Sequence, residues 1–440
     1  MHNKEKIMRV LICTYTFPPS GGPRSIRWVQ FADYLTRRGW EVDILTVRPL
    51  PKSPRYDEES LKGIPAKAVV HRTFTGVMYS LTYRYITKGG AKPAKGGEGG
   101  KSVTRRLLYK VEEVARSLLI PDGAIEWLPF AVAKGRALSR KNRYDAIVSV
   151  GYPYACHVIG SVLSRYVKGP WIADYGDPWS FFPHFLPPWR EEIDRRFEGW
   201  LLKRMDRVIV TTEETKEGYL AHFPFLRPEK VEVIPQGYSR EQFDAVAPER
   251  AKGFRIVYTG IFYGKIREPF TFFQAIAELA DIDIEVVVAG RVEGPYRDYV
   301  RKMGLDDRIS FTGYVSHERA VALQKGATLL LLLGNLSRYQ LPSKVYEYLA
   351  SQRPILSVRY QEEDIASRMI EKYRRGFVVE NDTERLKAAI RELYSDWQAG
   401  RLESRFNLGE VEEYAWDTID VQFEEMLNRM CRSGSGTLTG

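Results

Sequence analysis

Two stretches of the sequence place small or proline residues, followed by a basic residue, at the start of a helical pattern. The first is Phe17–Arg24, which reads FPPSGGPR and sets Gly21 and Gly22 directly before Pro23 and Arg24. A turn of this kind leaves backbone N–H groups free and adds the positive end of a helix dipole, so it can hold an anion such as a phosphate. This stretch is therefore a candidate phosphate-binding loop.

The second stretch, LPSKVYEY over 341–348, offers the same chemistry with more side-chain charge. Pro342 precedes a helical pattern, Ser343 is a good N-cap type, and Lys344 brings positive charge to the first turn. Glu347 follows one turn later, where it either meets a ligand or completes a capping interaction with Ser343. Both interpretations stay open at the level of the sequence.

Other common catalytic and cofactor motifs are missing from the sequence. No GxGxxG, GxxxxGK[ST] or GxSxG occurs, so a dinucleotide cofactor, a P-loop and a hydrolase nucleophile elbow have no support. The cysteines, histidines and carboxylates show no metal-ligand clustering, and the DxD pair Asp281 and Asp283 precedes a strand, where we expect a solvated turn. His157 is expected to pack or to support a loop. We predict neither a metal nor a cofactor.

The residues around the first stretch alternate between strand-like and helical patterns. A β-prone run over 10–14 leads into it, apolar residues at helical spacing follow and end at Gly39, and Glu41–Val47 is a second strand-like run. This order is typical of a βαβ unit and therefore of a parallel sheet with a right-handed crossover. The other strand-like runs of the first half are 146–150, 171–173, 207–211 and 231–234.

The second half of the chain repeats this alternation. Several of its strand-like runs end at a glycine, as at Gly260, Gly290, Gly313 and Gly334. The runs cover 255–258, 285–289, 309–311, 328–333 and 354–358, and helices are expected over 269–279 and 343–350. A last amphipathic helix over roughly 410–430 needs a surface to pack on.

Length predicts two α/β domains. The chain has 440 residues, whereas single cores stop growing near roughly 250–300 residues. We expect an N-terminal Rossmann-like domain over 1–240, a C-terminal one over 241–408, a crossing helix over 409–430 and a tail over 431–440, with the ligand cleft between the domains. Lys88–Gly100, which contains six glycines, is expected to be a flexible insertion.

Positive charge is concentrated in the first half of the chain. Residues 1–250 contain 40 Lys and Arg against 28 Asp and Glu, whereas the whole chain has 66 against 56. The densest part, Arg84–Lys110, has eight basic residues opposed only by Glu98, which fits either a solvated loop or a site for an anionic lipid or substrate. Nucleic acid is not expected, because no zinc-finger, RNP or helix-turn-helix pattern is found.

Cysteine usage and apolar runs bear on the location of the protein. Three separated cysteines suit a reducing cytoplasm and cannot form a disulfide framework. The N-terminal apolar run is too short for a signal-peptide core, and no stretch of about 20 apolar residues is found. We expect a cytoplasmic protein that is soluble or peripheral on the inner face of the cell membrane.

The order of several short motifs resembles family 4 glycosyltransferases of the GT-B fold, and most of all the branch that builds surface polysaccharides. The motifs read FPPSGGPRS, PWIADYGDPW, KVEVIPQGY, YTGIFYGKIREP, VVVAGR with FTGYV, and LPSKVYEYLASQRPIL. The resemblance extends from about residue 8 to 430, and PSKVYEYLASQRPIL is its most specific part. It implies an acceptor-binding N-terminal domain, a C-terminal domain that holds a nucleotide-diphosphate sugar, and transfer that retains the anomeric configuration without a metal.

The resemblance also implies a donor site. Glu347 matches the second glutamate of the family's E-x7-E motif, which holds the donor ribose hydroxyls, whereas Tyr339 stands where the first glutamate would be. Gln340, or the backbone beside it, is the substitute that the sequence offers. Lys265 and Arg267 match basic residues on the diphosphate. The other donor-site candidates are Gly21, Gly22, Gly260, Gly290, Arg291, Gly313, Tyr314, Val315, Leu341, Pro342, Ser343 and Lys344.

A second departure from the family concerns the end of the strand Trp171–Tyr175. Many members carry a histidine there, and Gly176 occupies the matching position in this chain. Asp174 and Asp177 then become the candidates near the reacting centre, Asp177 to accept a hydrogen bond from the acceptor hydroxyl and Asp174 to orient the loop. The alternative for Asp177 is that it caps the turn that follows.

The implied partners are a nucleotide-diphosphate sugar as co-substrate and a lipid-linked or glycan acceptor. Arg267 and Lys344 are expected to stabilise the charge of the leaving diphosphate, and Arg84–Lys110 is a candidate contact with an anionic membrane surface. Two other classes stay open: another GT-B enzyme such as a sugar-nucleotide 2-epimerase, and a non-catalytic nucleotide-sugar or nucleic-acid binding protein.

Overall fold

The computed structural model describes residues 7–49, 56–76, 119–181, 188–262, 264, 267–292 and 294–433. Lys88–Gly100, Arg84–Lys110 and Lys265 lie outside these residues, so what we expect of them stays a prediction. The chain divides into two compact units, which we call unit 1 (residues 1–235 with 419–440) and unit 2 (residues 236–418).

Unit 1 is built on a seven-stranded parallel sheet. Its strands are β1 (Arg9–Thr14), β2 (Glu41–Val47), β3 (Val69–Thr73), β4 (Ala146–Gly151), β5 (Trp171–Tyr175), β6 (Arg207–Val210) and β7 (Val231–Val233). Their order in the sheet is β3-β2-β1-β4-β5-β6-β7, and each neighbouring pair is parallel. The inner strands are continuous apolar runs because both faces of a parallel sheet are covered. Every residue of β4 is buried.

The described helices of unit 1 follow its strands along the chain. They are α1 (Pro23–Arg37), α2 (Leu128–Lys141), α3 (Ala155–Leu163), α4 (Pro188–Arg204) and α5 (Glu213–His222). Gly39 has a φ of 89°, which is the conformation of the residue just past a helix end, so its predicted position after α1 is confirmed. Aromatic side chains pack at the carboxyl ends of β4 and β5, where Trp179 stacks on Tyr154 with ring centroids 5.1 Å apart.

Unit 2 is built on a six-stranded parallel sheet. Its strands are β8 (Phe254–Thr259), β9 (Ile284–Ala289), β10 (Ile309–Gly313), β11 (Leu329–Leu333), β12 (Ile355–Arg359) and β13 (Gly376–Glu380), in the order β10-β9-β8-β11-β12-β13. Its helices are α6 (Arg240–Ala245), α7 (Phe270–Glu278), α8 (Gly294–Lys302), α9 (His317–Gly326), α10 (Lys344–Ala350), α11 (Ile365–Lys372) and α12 (Thr383–Gln398). The central strand β11 consists of five buried leucines, so it forms the middle of the core.

The last helix, α13 (Trp416–Ser433), begins later than the predicted start near residue 410. Glu412–Tyr414 form a separate 3-10 turn, and the amide of Trp416 donates to the carbonyl of Tyr238 at 3.0 Å, which keeps the chain out of a helix up to that point. From residue 419 onward α13 belongs to unit 1, where Phe423 stacks on Phe31 with centroids 4.1 Å apart. This apolar packing is the surface that the amphipathic pattern required.

The predicted fold class, α/β with two Rossmann-like parallel sheets, is confirmed. The strand predicted over Glu41–Val47 agrees with β2 at both ends. The sequence pattern does not predict β3 or β13. Both are edge strands with mostly half-buried residues, so their sequences, VVHRT and GFVVE, lack the long apolar run that marks an inner strand.

Candidate functional site

The strand order of unit 2 creates a ligand-binding position at the carboxyl ends of β8 and β11. These two strands are neighbours in the sheet although they are the first and fourth strands of the unit. The strand order reverses between them, and ligands of open α/β sheets bind outside such a point. The end of β8 is Thr259, which is followed by Gly260, and β11 is followed by Gly334.

Four polar side chains form a hydrogen-bonded array near this position. Lys344 Nζ lies 2.6 Å from Glu347 Oε2, and Gln324 Nε2 donates to the same oxygen at 3.0 Å. Gln324 Nε2 also donates to Thr259 Oγ1 at 2.9 Å, which links α9 to the end of β8. Ser351 Oγ donates to Gln324 Oε1 at 3.0 Å and so fixes the orientation of the amide. We call Thr259, Gln324, Lys344 and Glu347 the polar array.

Glu347 is held as an anion although only 18% of its side chain is exposed. Burial raises the pKa of this carboxyl, but the positive charge of Lys344, the influence of His317 and the hydrogen bonds outweigh burial, so the pKa lies below its ordinary value. Both hydrogen bonds that Glu347 accepts within the polar array go to its Oε2. Among the described residues no donor reaches Oε1, so this oxygen can accept a hydrogen bond from a ligand hydroxyl.

The start of α10 differs from the sequence-based expectation. Ser343 stands at the N-cap position, but its backbone is already helical and its hydroxyl accepts no capping hydrogen bond. The alternative in which Glu347 caps the helix together with Ser343 is therefore wrong, because Glu347 is bonded to Lys344 and Gln324 instead. Pro342 is buried in front of the helix, and the first amides of a helix have no acceptor within the helix itself.

Three predicted glycines join the ends of β8, β9 and β10. The amide of Gly260 donates to the carbonyl of Ala289 at 2.8 Å, and the amide of Gly290 donates to the carbonyl of Gly313 at 2.9 Å. All three glycines have positive φ, and a Cβ on Gly290 would lie 1.8 Å from the carbonyl oxygen of Gly260. Only glycine fits there, so the backbone forms a smooth carboxyl edge that a ligand can approach.

The residues that flank these glycines are mostly accessible. Tyr314 is 65% exposed, and the guanidinium of Arg291 lies over its ring, 5.4 Å from the centroid. Val315 and Leu341 are half-buried against the apolar cluster that includes Val345. An exposed aromatic ring beside an arginine suits contact with a flat, polar ligand.

Arg267 is positioned by the loop that follows β11. Its guanidinium donates to Asn335 Oδ1 at 2.5 Å, and its Nε donates to the carbonyl of Gly334 at 3.4 Å. Asn335 is buried and its amide in turn donates to the Gln340 carbonyl at 3.1 Å and to Gln340 Oε1 at 3.3 Å. The side chain of Gln340 is therefore part of the loop structure, and Tyr339 accepts a hydrogen bond from Arg338 at 2.6 Å.

In unit 1, the predicted loop and the predicted carboxylates come together at the carboxyl end of β5. Gly22 has a φ of 121° and stands before α1, whose first turn carries Arg24. The guanidinium of Arg24 lies 3.7 Å from Asp174 Oδ2 and 3.9 Å from Asp177 Oδ2. Gly21 precedes Gly22 and leads the same turn. The candidate phosphate loop and the candidate acceptor carboxylates thus share one arginine.

Asp174 and Asp177 differ in access. Asp174 is fully buried; its Oδ1 accepts from Arg27 at 3.3 Å and its Oδ2 accepts from Trp28 Nε1 at 2.9 Å. Because both oxygens of Asp174 already accept hydrogen bonds, its environment favours the predicted role of orienting the loop. Asp177 keeps 33% of its side chain exposed and is the carboxylate that a bound molecule can reach.

Arg24 also occupies the space beside Gly176, the position at which many family 4 glycosyltransferases carry a histidine. A Cβ built on Gly176 would lie 1.1 Å from Arg24 Nη2, so no side chain fits there while the guanidinium holds its place. From the sequence, Arg24 is expected only to add positive charge to the loop. Its approach to Gly176 depends on a contact between residues about 150 positions apart, which no local pattern predicts.

His157 and Glu198 lie buried in unit 1 near the same strand end. His157 shares a hydrogen bond of 2.9 Å between Nδ1 and Ser149 Oγ, and burial lowers its pKa to about 3. The predicted packing role of His157 agrees with this environment. Glu198 accepts hydrogen bonds from the amide of Ser180 and from Tyr219, and burial raises its pKa to about 7.

The DxD pair lies at an exposed turn, as predicted. Both carboxylate oxygens of Asp281 accept from Arg391, at 2.6 and 2.7 Å. Among the described residues, no three His, Cys, Asp or Glu side chains stand close enough to share a metal ion. Within the same part of the chain no helix combines the length and the apolar character needed to cross a bilayer.

Two family models match the chain. Residues 25–237 match a glycosyl transferase 4-like domain, and residues 253–396 match the model of glycosyl transferases group 1. No curated protein matches the chain in sequence. The second match contains the polar array and the three glycines, whereas the first contains Asp174 and Asp177 and begins directly after Arg24.

Solved structures share the fold at low sequence identity. Sucrose-phosphate synthase from Thermosynechococcus elongatus has a TM-score of 0.68 at 17% identity and covers 97% of this chain and 100% of its own. Anabaena HepE in complex with UDP and glucose has a TM-score of 0.65 at 15% identity, with 96% and 100% covered. A UDP-N-acetylglucosamine 2-epimerase has a TM-score of 0.56 at 12% identity, with 96% and 97% covered.

The fold alone therefore does not choose between sugar transfer and epimerisation. The two domain matches do make that choice, because both describe glycosyl transferases and together they cover most of the chain. With two parallel α/β sheets and these two domains, the chain is a glycosyltransferase of the GT-B fold.

Proposed function

We propose that the protein is a family 4 glycosyltransferase that moves a sugar from a nucleotide-diphosphate sugar to a hydroxyl acceptor with retention of configuration and without a metal. The observation that carries the proposal is the polar array. Glu347 is an anion whose Oε1 accepts from none of the described residues, and Lys344 stands beside it at the end of a parallel sheet. A ribose has hydroxyl donors for the carboxylate, and a diphosphate has negative charge for the ammonium.

The donor site of this proposal lies in unit 2. Glu347 accepts hydrogen bonds from the donor ribose, and the backbone of Gly313, Tyr314 and Val315 holds the base. Lys344 and Arg267, with Lys265 as a further candidate, bind the diphosphate together with loop amides. The polar residues around Arg267 support this role, since Asn335 and Gly334 hold its guanidinium in one orientation.

The proposed reaction is a displacement on one face of the sugar. The bond between the anomeric carbon and the diphosphate oxygen breaks, and the acceptor oxygen bonds to the anomeric carbon on the same face. The acceptor proton passes to the departing phosphate oxygen, so a strong side-chain base is not needed. Lys344 and Arg267 stabilise the negative charge that grows on the leaving group, an interaction that strengthens in the transition state.

Unit 1 supplies the acceptor-binding groups in this proposal. Asp177 accepts a hydrogen bond from the acceptor hydroxyl, while Asp174 positions Arg24 and the turn that contains Gly21 and Gly22. The proposed acceptor is lipid-linked or a growing polysaccharide. Such an acceptor places the enzyme in the cytoplasm at the inner face of the cell membrane.

A donor screen tests this proposal. Purified protein is heated with UDP-, GDP-, ADP- and dTDP-linked hexoses, and a donor present at about a hundred times its dissociation constant adds about 2.7 kcal/mol of stability. We expect one nucleotide class to raise the melting temperature of the wild type but not of Glu347→Ala.

The chosen donor is then incubated with acceptor extracts, and the product anomer is read by proton NMR with and without EDTA. Retention in the presence of EDTA is the expected result. Inversion, a requirement for added metal, or release of an epimerised sugar in place of transfer would contradict the proposal.

A further inference from the structure

Helix α4 presents apolar side chains to solvent on one face. Trp189, Ile193 and Trp200 are 49%, 39% and 41% exposed. They stand four and seven residues apart, so they lie in one stripe along the helix. The other face of α4 is in the core, where Leu201 and Leu202 are fully buried. The stripe therefore faces solvent along the side of α4 opposite to the core.

The C-terminal end of this stripe is basic. The guanidinium of Arg204 lies over the ring of Trp200, 3.6 Å from its centroid, and Lys203 Nζ lies 4.9 Å from the centroid of Phe225. Phe225 is itself 44% exposed. Exposed tryptophan beside lysine and arginine is the combination found where proteins meet the headgroup region of a bilayer.

An open cavity of about 300 Å³ adjoins this basic end. Five of its eight lining residues are basic, and the lining consists of Lys203, Arg204, Met205, Asp206, Arg207, Arg227, Glu229 and Lys230. The carboxylate of Asp206 accepts from the amide of Trp171 at 2.7 Å, so it is engaged at the start of β5.

Charge inside this cavity is unbalanced. Burial, together with the positive charge of Arg227, lowers the pKa of Lys230 although Asp206 opposes the shift. A cavity with surplus positive charge attracts an anion the size of a phosphate group.

We propose that α4 and this cavity form a docking surface for a membrane that carries anionic lipids, with a lipid phosphate bound in the cavity. The inference rests on the proposed function, since a lipid-linked acceptor lies at such a membrane. The stripe from Trp189 to Arg204 is about 22 Å long, so the helix can lie flat in the headgroup region with its apolar side chains inserted. Glu192, an acid close to the stripe, is paired with Arg195 and Arg196 at 2.8 and 2.6 Å.

Vesicle sedimentation with the full chain tests the docking surface. Wild-type protein is mixed with vesicles of phosphatidylcholine alone and with vesicles that also contain phosphatidylglycerol. We expect binding to the anionic vesicles only, and a loss of about tenfold or more in Lys203→Glu/Arg204→Glu, since each basic residue near an anionic surface contributes about fivefold to binding. The matched control is Arg136→Glu, which removes an exposed arginine that covers Tyr166 in the same unit.

A second measurement locates the contact on α4. Brominated anionic lipids should quench the fluorescence of the wild type through Trp189 and Trp200, and Trp189→Phe/Trp200→Phe should lose most of that quenching while it still sediments. Arg105→Glu/Arg106→Glu tests the basic segment found in the sequence analysis as a competing contact. The inference is overturned if Lys203→Glu/Arg204→Glu binds anionic vesicles like the wild type. It is also overturned if the wild type binds neutral and anionic vesicles equally, or if the wild type binds a DNA duplex but no vesicles.

The donor screen separates this inference from the proposed function. Lys203→Glu/Arg204→Glu should show the same thermal shift with the chosen nucleotide sugar as the wild type, because the cavity lies in unit 1 and the donor site in unit 2. Loss of vesicle binding with an intact donor shift supports the docking surface. An intact donor shift together with unchanged vesicle binding overturns it and leaves the glycosyl transfer proposal standing.

Discussion

The two units share a strand order but shift the pKa of a largely buried glutamate in opposite directions. In unit 2 the pKa of Glu347 lies below its ordinary value, and Lys344 stands 2.6 Å from the carboxylate. In unit 1 burial raises the pKa of Glu198 to about 7, and its hydrogen-bond donors are the neutral amide of Ser180 and the hydroxyl of Tyr219. Both carboxyls lie near the carboxyl end of a central strand.

The difference follows from the nearest charged neighbour. Burial disfavours a carboxylate in both units, but only Glu347 has an ammonium partner that outweighs it, whereas the charge of Asp194 adds repulsion at Glu198. The shared topology therefore determines where polar groups gather, and the local side chains determine what these groups can do. In unit 2, Glu347 is an anion beside the ammonium of Lys344, whereas in unit 1 Glu198 is buried beside aromatic side chains.

The largest expected effect comes from removing the cations of unit 2. Lys344→Ala and Arg267→Ala should each lower the transfer rate by on the order of 10²–10³, because the leaving diphosphate loses a charge partner in the transition state. Initial rates with the donor identified in the screen, together with melting curves, measure this effect. The proteins should stay folded, since both side chains are partly exposed and neither belongs to the apolar core.

A matched lysine serves as the control. Lys387 also pairs with a glutamate three residues away, Glu384, at 2.8 Å, but it lies on α12 and outside the polar array. Lys387→Ala should keep the wild-type rate. If Lys344→Ala and Arg267→Ala both transfer sugar at near-normal rates, the two cations have no role in catalysis.

The second effect concerns pH and unit 1. Glu198 holds its proton in the folded state up to a pKa of about 7, whereas an unfolded glutamate loses it near 4.5, so its contribution to stability is full below that value and is lost as the pH rises to 7. The loss amounts to about 3 kcal/mol. Glu198→Gln removes this dependence. Its free energy of unfolding, measured with urea, should therefore increase relative to that of the wild type as the pH is raised from 5 to 8.

Glu347→Gln is the comparison for this pH experiment. The pKa of Glu347 is shifted downward, so this carboxylate is charged in the folded and the unfolded wild type throughout pH 5 to 8. The difference in unfolding free energy between Glu347→Gln and the wild type should therefore stay constant over this range. His157, with a pKa of about 3, acts in the opposite direction to Glu198 and is the same in both proteins. Equal pH profiles for the two variants would remove the contrast between the units.

The third expected effect tests whether transfer requires the Arg24 guanidinium in the space where a side chain of residue 176 would otherwise lie. Gly176→Ala places a Cβ where the guanidinium lies, so Arg24 must move away from Asp174 and Asp177. Transfer should fall by about tenfold to a hundredfold, because Asp177 loses the ion pair that holds it in place for the acceptor, and misplacing a reacting group by about 1 Å can cost about 10²-fold. The change in unfolding free energy should be small, because the end of a flexible arginine can give way.

The control for this variant is Gly123→Ala in the same unit, since a Cβ there meets no atom within 4 Å. It should behave as the wild type in both measurements. A Gly176→Ala protein with unchanged transfer would show that the position of Arg24 is not required. A large loss of stability would instead assign Arg24 a structural role.

The sequence predicted the parts of the site that are local. Lys344 and Glu347 were both predicted as donor-site residues, and the glycines at the ends of β8, β9 and β10 mark the carboxyl edge, whereas the ion pair between the two side chains was not predicted although they are three residues apart on one helix. Gln324 and Thr259 were not predicted, because the bonds that bring them to Glu347 span 23 and 65 residues and depend on how α9 packs. A buried glutamine leaves no periodic signal in a sequence.

The burial of individual polar residues was also not predictable from the sequence. Asp174 and Asp177 look alike in the segment ADYGD, yet one is enclosed by Arg27 and Trp28 and the other reaches solvent. That distinction arises because α1 crosses β5, a contact between parts of the chain that are about 150 residues apart. Residue type identified the candidates, and only the packing separated the positioning group from the accessible one.

The smallest expected effect concerns the DxD pair of unit 2. Asp281 is exposed, and its carboxylate is paired with both terminal nitrogens of Arg391, so the segment has a surface ion pair in place of a ligand. Asp281→Asn should leave the transfer rate within about twofold of the wild type, because exposed ion pairs contribute little. The rate should also respond to EDTA as the wild type does. A large drop in rate that added manganese restores would mean that this pair binds a metal, and the metal-independent mechanism proposed for the polar array would then be wrong.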